Sequence, residues 1–306
     1  MQTYTHWQGI EASGKGASVA MGNFDGVHLG HQHVIDLARG HGPLGVVTFE
    51  PHPRELFSPD APAFRLMNAE ARANRLAKLG VERLYELPFA LDLASLSPED
   101  FAREVLAEGL GVAHVVVGAD FRFGRGRAGT VRDLRALGDR YGFAVTVADL
   151  VAVAGQEISS TAIRTALAEG RPRDAAAMLG HWHRIDGAVL HGDKRGRDLG
   201  YPTANMSVNG LHLPRLGVYA VKVDVLTGPR KGSWAGAASL GVRPMFGENR
   251  PNLESYLFDF SGDLYGQHLS VAFIDYLRPE MVFDGLPALI AQIEQDCARA
   301  RAILSA

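Results

Sequence analysis

The sequence predicts two domains of different fold class: an α/β domain with a parallel sheet over residues 1–180, then a small, mostly antiparallel β-barrel domain over residues 181–306. Three observations predict this. A chain of 306 residues is longer than a single hydrophobic core usually requires. Strands and helices alternate in the first half, which is typical of a parallel sheet with right-handed crossovers. Near Gly180 the pattern changes to alternating strands and a hairpin.

In the first half, apolar runs alternate with helices that have recognisable ends. Strands are predicted at "SVAMGNF", "LGVVTFE", "VAHVVVGAD" and "FAVTVADL", and the β-branched third run indicates burial on both faces. Helices are predicted for residues 29–40 with Gly40 as the stop, for residues 68–79 with Asn68 as the N-cap, from Ser97 with Pro98 at the first position, and around Val131–Tyr141.

In the second half, the stretch "VYAVKVDVL" alternates in polarity. It places Tyr219, Val221, Val223 and Val225 on one face of a strand, and Lys222 and Asp224 on the other. The stretch "SYLFDFSGDLYGQHLSVAFIDYL" is typical of a hairpin around a Gly-Asp turn. A long helix closes the chain, with an apolar stripe of Leu286, Leu289, Ile290, Ile293, Cys297, Ala300 and Ile303.

Composition and charge exclude several classes of function. The net charge of −3 favours neither nucleic acid nor an anionic membrane surface as a partner. The single cysteine, Cys297, excludes an internal disulfide framework and a CxxC zinc pair. No basic-then-apolar signal opens the chain, and no apolar run approaches the ~18 residues of a membrane span, so we expect a soluble, cytoplasmic protein. Homo-oligomerisation stays open.

The stretch "VAMGNFDGVHLGHQHVI" places His28 and His31 at i, i+3 in the first turn of a helix that follows a strand. Unpaired N–H groups and the helix dipole make such a turn an anion site, and Gly22, Gly26 and Gly30 allow a phosphate to approach the backbone. This pattern favours nucleotidyl transfer, in which the protein positions and stabilises phosphates. A metal site and two ordinary surface histidines are the alternatives.

A second glycine pattern imitates a dinucleotide fingerprint. Gly124, Gly126 and Gly129 form GxGxxG, and Asp149 follows twenty residues later. However, "ADFRF" separates the strand from the first glycine, which argues against a Rossmann dinucleotide loop and a dehydrogenase. The neighbouring arginines indicate a basic loop over phosphates instead; they are Arg122, Arg125 and Arg127.

The sequence "GNFDGVHLGHQ" resembles the HxGH signature of nucleotidylyltransferases, in the form seen in prokaryotic bifunctional riboflavin kinase/FAD synthetases. The resemblance continues in order through "VVTFEPHPRELF", "GADFRFGRGRAG", "ISSTAIR", "GDKRGRDLGYPTANM", "GVRPMFG", "LESYLFDFSGDLYGQ" and "LRPEMVFDGLPALIAQIEQD". It covers nearly the whole chain. It implies a Rossmann-like nucleotidylyltransferase domain, then a riboflavin kinase-like barrel closed by the C-terminal helix.

For the first domain, the resemblance implies catalytic roles for His28 and His31. The stretch "ISSTAIR" has two interpretations: its serines cap a helix, or they form a second phosphate cradle with Arg164 facing the histidines. The resemblance implies the cradle. The implied ATP-binding residues are Gly22, Asn23, Phe24, Asp25, Gly26, His28, His31, Ser159, Ser160, Thr161 and Arg164. The implied flavin and phosphate loop contains Asp120, Arg122, Arg125 and Arg127.

The second domain has no Walker GxxxxGK[ST] motif, so a kinase here is not of the P-loop type. The stretch "GYPTAN" by itself is typical of a turn between strands, although Thr203 and Asn205 carry oxygen atoms suited to Mg²⁺. The resemblance implies that these two residues hold Mg-ATP. The implied ATP-binding residues are Gly192, Lys194, Gly196, Gly200, Pro202, Thr203 and Asn205.

In the same family, the glutamate that matches Glu254 takes the proton from the ribityl hydroxyl of riboflavin. The alternative is an ordinary outward-facing strand residue. Arg278 and Glu280 resemble the segment that flanks the flavin pocket. Two positions depart from the family pattern, Ser239 in place of asparagine and Met245 in place of threonine, and we expect them to affect the kinase pocket.

The resemblance implies two successive reactions, in which ATP phosphorylates riboflavin to FMN and a second ATP adenylylates FMN to FAD. Both steps are expected to use Mg²⁺. Two alternatives remain at this point: a single-function adenylyltransferase with a non-catalytic flavin-binding barrel, and a flavin-binding regulator without activity.

Overall fold

The chain forms two compact units in the computed structural model, which describes residues 1–149, 152–153, 156–191, 200–245 and 248–305. The sheet unit contains Met1–Pro62 and Arg72–Ile158, and the barrel unit contains Ala63–Ala71 and Ser159–Ala306. The division therefore falls before residue 180, because the two helices after Ile158 belong to the barrel unit. The boundary at residue 180 between two activities stays a prediction.

Residues 1–158 contain a six-stranded sheet and a two-stranded ribbon. The strands are β1 (Gln2–Tyr4), β2 (Ser18–Met21), β3 (Leu44–Glu50), β4 (Arg83–Pro88), β5 (His114–Gly118), β6 (Ala144–Ala148), β7 (Ala152–Val153) and β8 (Gln156–Glu157). The sheet has the order β1-β4-β3-β2-β5-β6, and every neighbouring pair is parallel. This confirms the predicted parallel α/β fold.

The four predicted helices between these strands are present, most of them with shifted ends, and two short helices, Pro53–Phe57 and Leu91–Ala94, were not predicted. They are α1 (Leu29–Leu37), α2 (Pro53–Phe57), α3 (Ala69–Lys78), α4 (Leu91–Ala94), α5 (Pro98–Asp100) and α6 (Val131–Tyr141). Asn68 caps α3 by accepting from the backbone N–H of Ala71 at 2.8 Å, as predicted. After α5 the chain continues as a π-helix over Phe101–Gly109, which the sequence did not indicate.

The order of the strands predicts a binding crevice at the end of β2. The chain passes from β2 to β3 on one side, and β5 lies on the other side of β2. Ligands of parallel sheets bind where the strand order reverses in this way, outside the carboxyl ends of the strands. The predicted strand over residues 18–24 ends at Met21, so Gly22, Asn23 and Phe24 enter the loop at this crevice.

The barrel unit begins with two helices and ends with a third around a six-stranded sheet. Its elements are α7 (Ser160–Ala168), α8 (Pro172–Leu179), β9 (Arg184–Ala188), β10 (Ala204–Ser207), β11 (Gly217–Val225), β12 (Gly232–Met245), β13 (Glu248–Leu257), β14 (His268–Arg278) and α9 (Leu286–Ser305). The order is β10-β13-β12-β11-β14-β9, and all pairs are antiparallel. A bridge between Leu190 and Asn205 nearly closes the sheet, which confirms the predicted barrel.

Alternation along the strands separates the barrel interior from the surface under α9. The interior contains Tyr219, Val221, Val223 and Val225, as predicted, together with aliphatic side chains of β10, β12, β13 and β14. The opposite face packs against α9 through a cluster of Ala220, Ala237, Phe258, Leu277 and Ala300. At the start of α9, Leu286 is 59% exposed, so the apolar stripe is buried only further along the helix.

Within the described ranges, no helix has the length and apolar character that crossing a membrane requires.

His183 is a buried imidazole of the barrel unit. Its ring packs on Phe273 with 5.7 Å between centroids, and its Nε2 has no hydrogen-bond partner in the described part of the chain. Burial lowers the pKa of His183 to about 3, and the neighbouring His181 and His212 contribute to the shift. The folded protein therefore keeps this ring neutral well into the acidic range.

We expect His183→Leu to make stability less sensitive to acid. The unfolded chain binds a proton at His183 below pH 6.5, whereas the folded chain does so only near pH 3. The parent therefore loses up to about 1.4 kcal/mol of unfolding free energy per pH unit between these values, and the variant lacks this loss. Urea unfolding of both proteins from about pH 7 to about pH 4.5 measures it. A difference between them that stays constant with pH would contradict the expectation.

Candidate active sites

The loop that follows β2 holds a backbone conformation that is unusual for its residues. Phe24 and Val27 have positive φ angles of 51° and 44°, and Gly26 has 85°. A β-branched residue such as Val27 adopts this region rarely, and such residues cluster at functional sites. The side chain of Gln32 donates to the carbonyl of Val27 at 2.9 Å, and Thr48 donates to that of Asn23 at 3.2 Å. These bonds hold the loop in place.

His28 and His31 lie together at the start of α1. His28 is the N-cap, and its Nδ1 accepts from the backbone N–H of His31 at 3.3 Å. The two rings stack, with 3.6 Å between centroids and 14° between planes. A Cβ at Gly30 would lie 3.2 Å from Nδ1 of His28, so a glycine at this position avoids a steric conflict with the ring. The structure thus brings together the two predicted histidines.

The electrostatics of this pair suit an anionic ligand. Burial lowers the pKa of His31 well below its usual value, and the nearby His28 adds to the effect. Nδ1 of His31 is buried and has no hydrogen-bond partner among the described residues. His28 and Asp25 are also buried, at 8% and 6% exposure. The free N–H groups and the dipole at the start of this nine-residue helix favour negative charge.

The predicted basic loop is a tight hairpin between β5 and α6. The backbones of Phe123 and Gly129 exchange hydrogen bonds of 3.2 and 2.9 Å. A Cβ at Gly129 would lie 2.7 Å from the Phe123 ring, which explains that glycine. The glycines therefore close a hairpin and do not form a strand-to-helix turn for a dinucleotide. Four exposed side chains lie on this loop, Asp120, Arg122, Arg125 and Arg127. Hydrogen bonds from Thr130 lower the pKa of Asp133, and Arg122 is one of the groups that add to this shift.

The "ISSTAIR" stretch begins α7, and its structural interpretation is visible. Ser159 caps the helix by accepting from the backbone N–H of Ala162 at 3.2 Å. Arg164 donates from Nε to the carbonyl of Phe64 at 2.6 Å and lies over the Phe64 ring. Ser160 is half-buried and Thr161 is exposed. Binding of ATP phosphates by these residues stays a prediction.

In the barrel unit, one row of paired residues crosses five strands. Asn205 of β10 pairs with Glu254 of β13, and Glu254 pairs on its other side with Ser239 of β12. Ser239 pairs with Val218 of β11, which pairs with Arg278 of β14. Directly paired residues point to the same face of a sheet, so the predicted metal ligand, base and flavin-site arginine share one face.

This face borders a cavity of about 650 Å³ under α9. We call it the larger cavity, because a smaller one lies beside it. Four predicted residues line it: Thr203, Glu254, Arg278 and Glu280. Its other walls are mainly apolar and include Tyr201, Val218, Ala237, Tyr256, Leu289 and Ile293. Ser239 also lines this cavity, so this departure from the family pattern lies in the pocket. The side chain of Met245, the other departure, lies outside the part of the chain that the structure describes. Glu254 is an outward-facing strand residue, as the alternative interpretation expected, but its side chain faces this cavity.

Arg278 is fixed in the wall of the larger cavity by the last helix. Its Nε donates to both carboxylate oxygens of Asp296, at 3.0 and 2.9 Å, and Nη1 donates to the carbonyl of Pro279 at 2.9 Å. Gln292 donates to the same carboxylate at 3.0 Å. Sequence analysis missed Asp296, although a carboxylate among the apolar stripe of α9 was a visible signal. Arg278 is therefore a structural part of the wall.

A smaller cavity of about 280 Å³ lies beside the larger one. Its lining includes Pro202, Thr203, Phe260, Leu264 and Tyr265. Thr203 lines both cavities, so the "PTAN" segment lies where they meet. Gly200 is exposed and has a φ of 83°. The predicted ATP-binding residues Gly192, Lys194 and Gly196 lie outside the described residues.

Asn252 is a further polar residue of the larger cavity that sequence analysis missed. Its Nδ2 donates to Oδ1 of Asn205 at 2.9 Å and to Oε1 of Glu254 at 3.4 Å. The described ranges contain no cluster of three His, Cys, Asp or Glu side chains placed to bind a metal. Neutral oxygen atoms of Thr203 and Asn205 fit Mg²⁺, which usually keeps water and substrate phosphates in its shell.

Comparisons with known proteins agree with this architecture. Residues 10–162 match the family model of FAD synthetase, and residues 179–304 match that of riboflavin kinase. A relative from Pseudomonas fluorescens is 41% identical over 99% of this chain and 98% of its own, and one from Listeria monocytogenes is 39% identical over 94% and 92%. Both are named bifunctional riboflavin kinase/FMN adenylyltransferase.

One solved structure superimposes over nearly the whole chain. It is the crystal structure of a protein from Streptococcus pneumoniae named macrolide-efflux protein, with a TM-score of 0.81, 30% identity and 98% coverage of both chains. The family models and the relatives confirm the resemblance seen in the sequence motifs. The chain belongs to the bifunctional riboflavin kinase/FMN adenylyltransferase family.

Proposed function

We propose that this chain phosphorylates riboflavin to FMN in residues 181–306 and adenylylates FMN to FAD in residues 1–180, with ATP as co-substrate of both reactions. The main support is the paired row of the barrel, which sets Glu254 beside Asn205 on a cavity that Thr203 shares with a second one. Family membership supports both activities. We further propose that the enzyme works in the cytoplasm on small molecules and not on nucleic acid.

For the kinase reaction, we place the flavin ring in the larger cavity, whose apolar walls and volume suit a flat tricyclic system. ATP then occupies the smaller cavity, so that its γ-phosphate reaches Thr203 at the junction. Glu254 accepts the proton of the terminal ribityl hydroxyl while that oxygen attacks the γ-phosphorus, and ADP leaves. Thr203 and Asn205 would hold Mg²⁺, which neutralises phosphate charge when bound.

For the adenylyl transfer, a phosphate oxygen of FMN attacks the α-phosphorus of ATP, and pyrophosphate leaves. FMN already carries a competent nucleophile, so no covalent enzyme intermediate is required. His28 and His31 donate hydrogen bonds to phosphate oxygens at the start of α1, where the helix dipole adds to the stabilisation. The low pKa of His31 keeps its ring neutral near neutral pH. The arginines at positions 122, 125 and 127 bind phosphate from the hairpin.

We expect His28→Ala to reduce FAD formation by about 100-fold or more, because it removes a phosphate ligand and the cap of α1. FMN formation from riboflavin should remain. Chromatography of the flavins formed with ATP and Mg²⁺ measures both products. His33→Ala, on the same helix, is the matched control. Loss of both activities in a folded His28→Ala protein would contradict the assignment of one reaction to each half.

We expect Glu254→Gln to lower the kcat of FMN formation by about 10²–10⁴-fold, because the amide accepts a proton poorly while keeping the shape of the side chain. FAD formation should persist when FMN is supplied. Glu294→Gln, on the exposed side of α9, is the control. If the parent protein formed FAD from FMN but no FMN from riboflavin, the barrel would be a binding domain without kinase activity.

A further inference from the structure

Asn252 lies on β13 two residues before Glu254. Side chains alternate along a strand, so both residues are on the same face, and both line the larger cavity. In the register, Asn252 is opposite Ser207 of β10 and Gly241 of β12. Gly241 has no side chain, and the carboxylate of Glu280 lies over it, 2.1 Å from where a Cβ of residue 241 would be.

The side-chain nitrogen of Asn252 donates hydrogen bonds to two acceptors. Nδ2 carries two hydrogens, and its acceptors are Oδ1 of Asn205 at 2.9 Å and Oε1 of Glu254 at 3.4 Å. On the far side, Nδ2 of Asn205 lies 3.5 Å from the carbonyl of Thr203. These contacts form one chain of hydrogen bonds from Thr203 through Asn205 and Asn252 to Glu254.

This chain decides which end of the Asn205 amide faces Glu254. The two residues are directly opposite in the β10–β13 pair, where Cβ atoms are about 4.5–5.5 Å apart. Beside an ionised carboxylate, an amide favours its NH₂ end towards the charge and turns its oxygen away. The donor of Asn252 reverses this preference, because it binds Oδ1 of Asn205 and an oxygen of Glu254 at the same time. The oxygen of Asn205 therefore stays on the side of the base.

We propose that Asn252 is a positioning residue of the riboflavin kinase reaction. It keeps Oδ1 of Asn205 on the side of Glu254, where Mg-ATP would meet the ribityl hydroxyl, and restrains the carboxylate of Glu254 that receives the proton. This inference rests on the proposed function of the barrel. It assigns Asn252 no contact with the reacting atoms: the residue acts through Asn205 and Glu254.

The test compares Asn252→Leu, which keeps the size but removes the donor, with Asn252→Thr, which restores one donor. In the full chain, the Leu variant should lose about 10–100-fold in kcat for FMN formation, with the KM for riboflavin changed less than about threefold. Calorimetric titration with ADP should show about tenfold weaker binding in the presence of Mg²⁺ and unchanged binding in EDTA. The Thr variant should recover a clear part of both losses.

Two controls separate positioning from a general loss of structure. Asn209→Leu makes the same chemical change at an exposed turn of the barrel unit and should behave as the parent. FAD formation from FMN, measured on the same Asn252→Leu sample, should keep the rate of the parent.

Three results would overturn the inference. The first is kcat of the Leu variant within about twofold of the parent. The second is equal weakening of ADP binding with and without Mg²⁺. The third is a Thr variant that recovers nothing although it is folded. A parent protein that forms no FMN would instead refute the proposed kinase function, and the role of Asn252 with it.

Discussion

The register of β10, β13 and β12 is the constraint on which the barrel site depends. Since side chains alternate between faces, a slip of one residue in β13 would turn Glu254 into the barrel interior, where Leu253 and Leu257 now pack. The buried side chains of the core therefore hold the chemistry on the opposite face in place. Burial of a leucine and the position of the proposed base on the cavity are two results of the same pairing.

The site in the sheet unit is held differently. There the groups of interest lie on a loop and a helix start, and the backbone itself takes up the strain at Phe24 and Val27. The sheet offers this loop a rigid base, since β2 is paired with β3 on one side and with β5 on the other. The two halves thus use opposite means: regular strand pairing in the barrel, and a strained, hydrogen-bonded turn at the end of β2.

Much of this was predictable from sequence, for reasons that differ between residues. The alternation from Tyr219 to Val225 predicted the barrel core, and the spacing of His28 and His31 predicted that they lie together, because both signals are local. The contacts of Asn252 and Asp296 were not predictable, since they depend on the pairing of distant segments and on how α9 packs. The π-helix over Phe101–Gly109 has no local signal that we can name.

The family resemblance extended the prediction to Thr203, Asn205 and Glu254 by position, and the structure adds their geometry. The same resemblance placed Arg278 at the flavin pocket but did not indicate that its guanidinium is paired with a carboxylate of α9. A motif records which residue occupies a position. It does not record which other residue forms hydrogen bonds or an ion pair with it.

The face-to-face stacking of His28 and His31 has a consequence for proton balance. Two imidazolium ions at a separation of 3.6 Å repel each other, and this repulsion adds to burial, the larger cause, in lowering the pKa of His31. The triphosphate proposed to bind here would bring several negative charges to this pair. Those charges would offset the repulsion between the rings, so protonation of His31 would cost less in the complex than in the free protein.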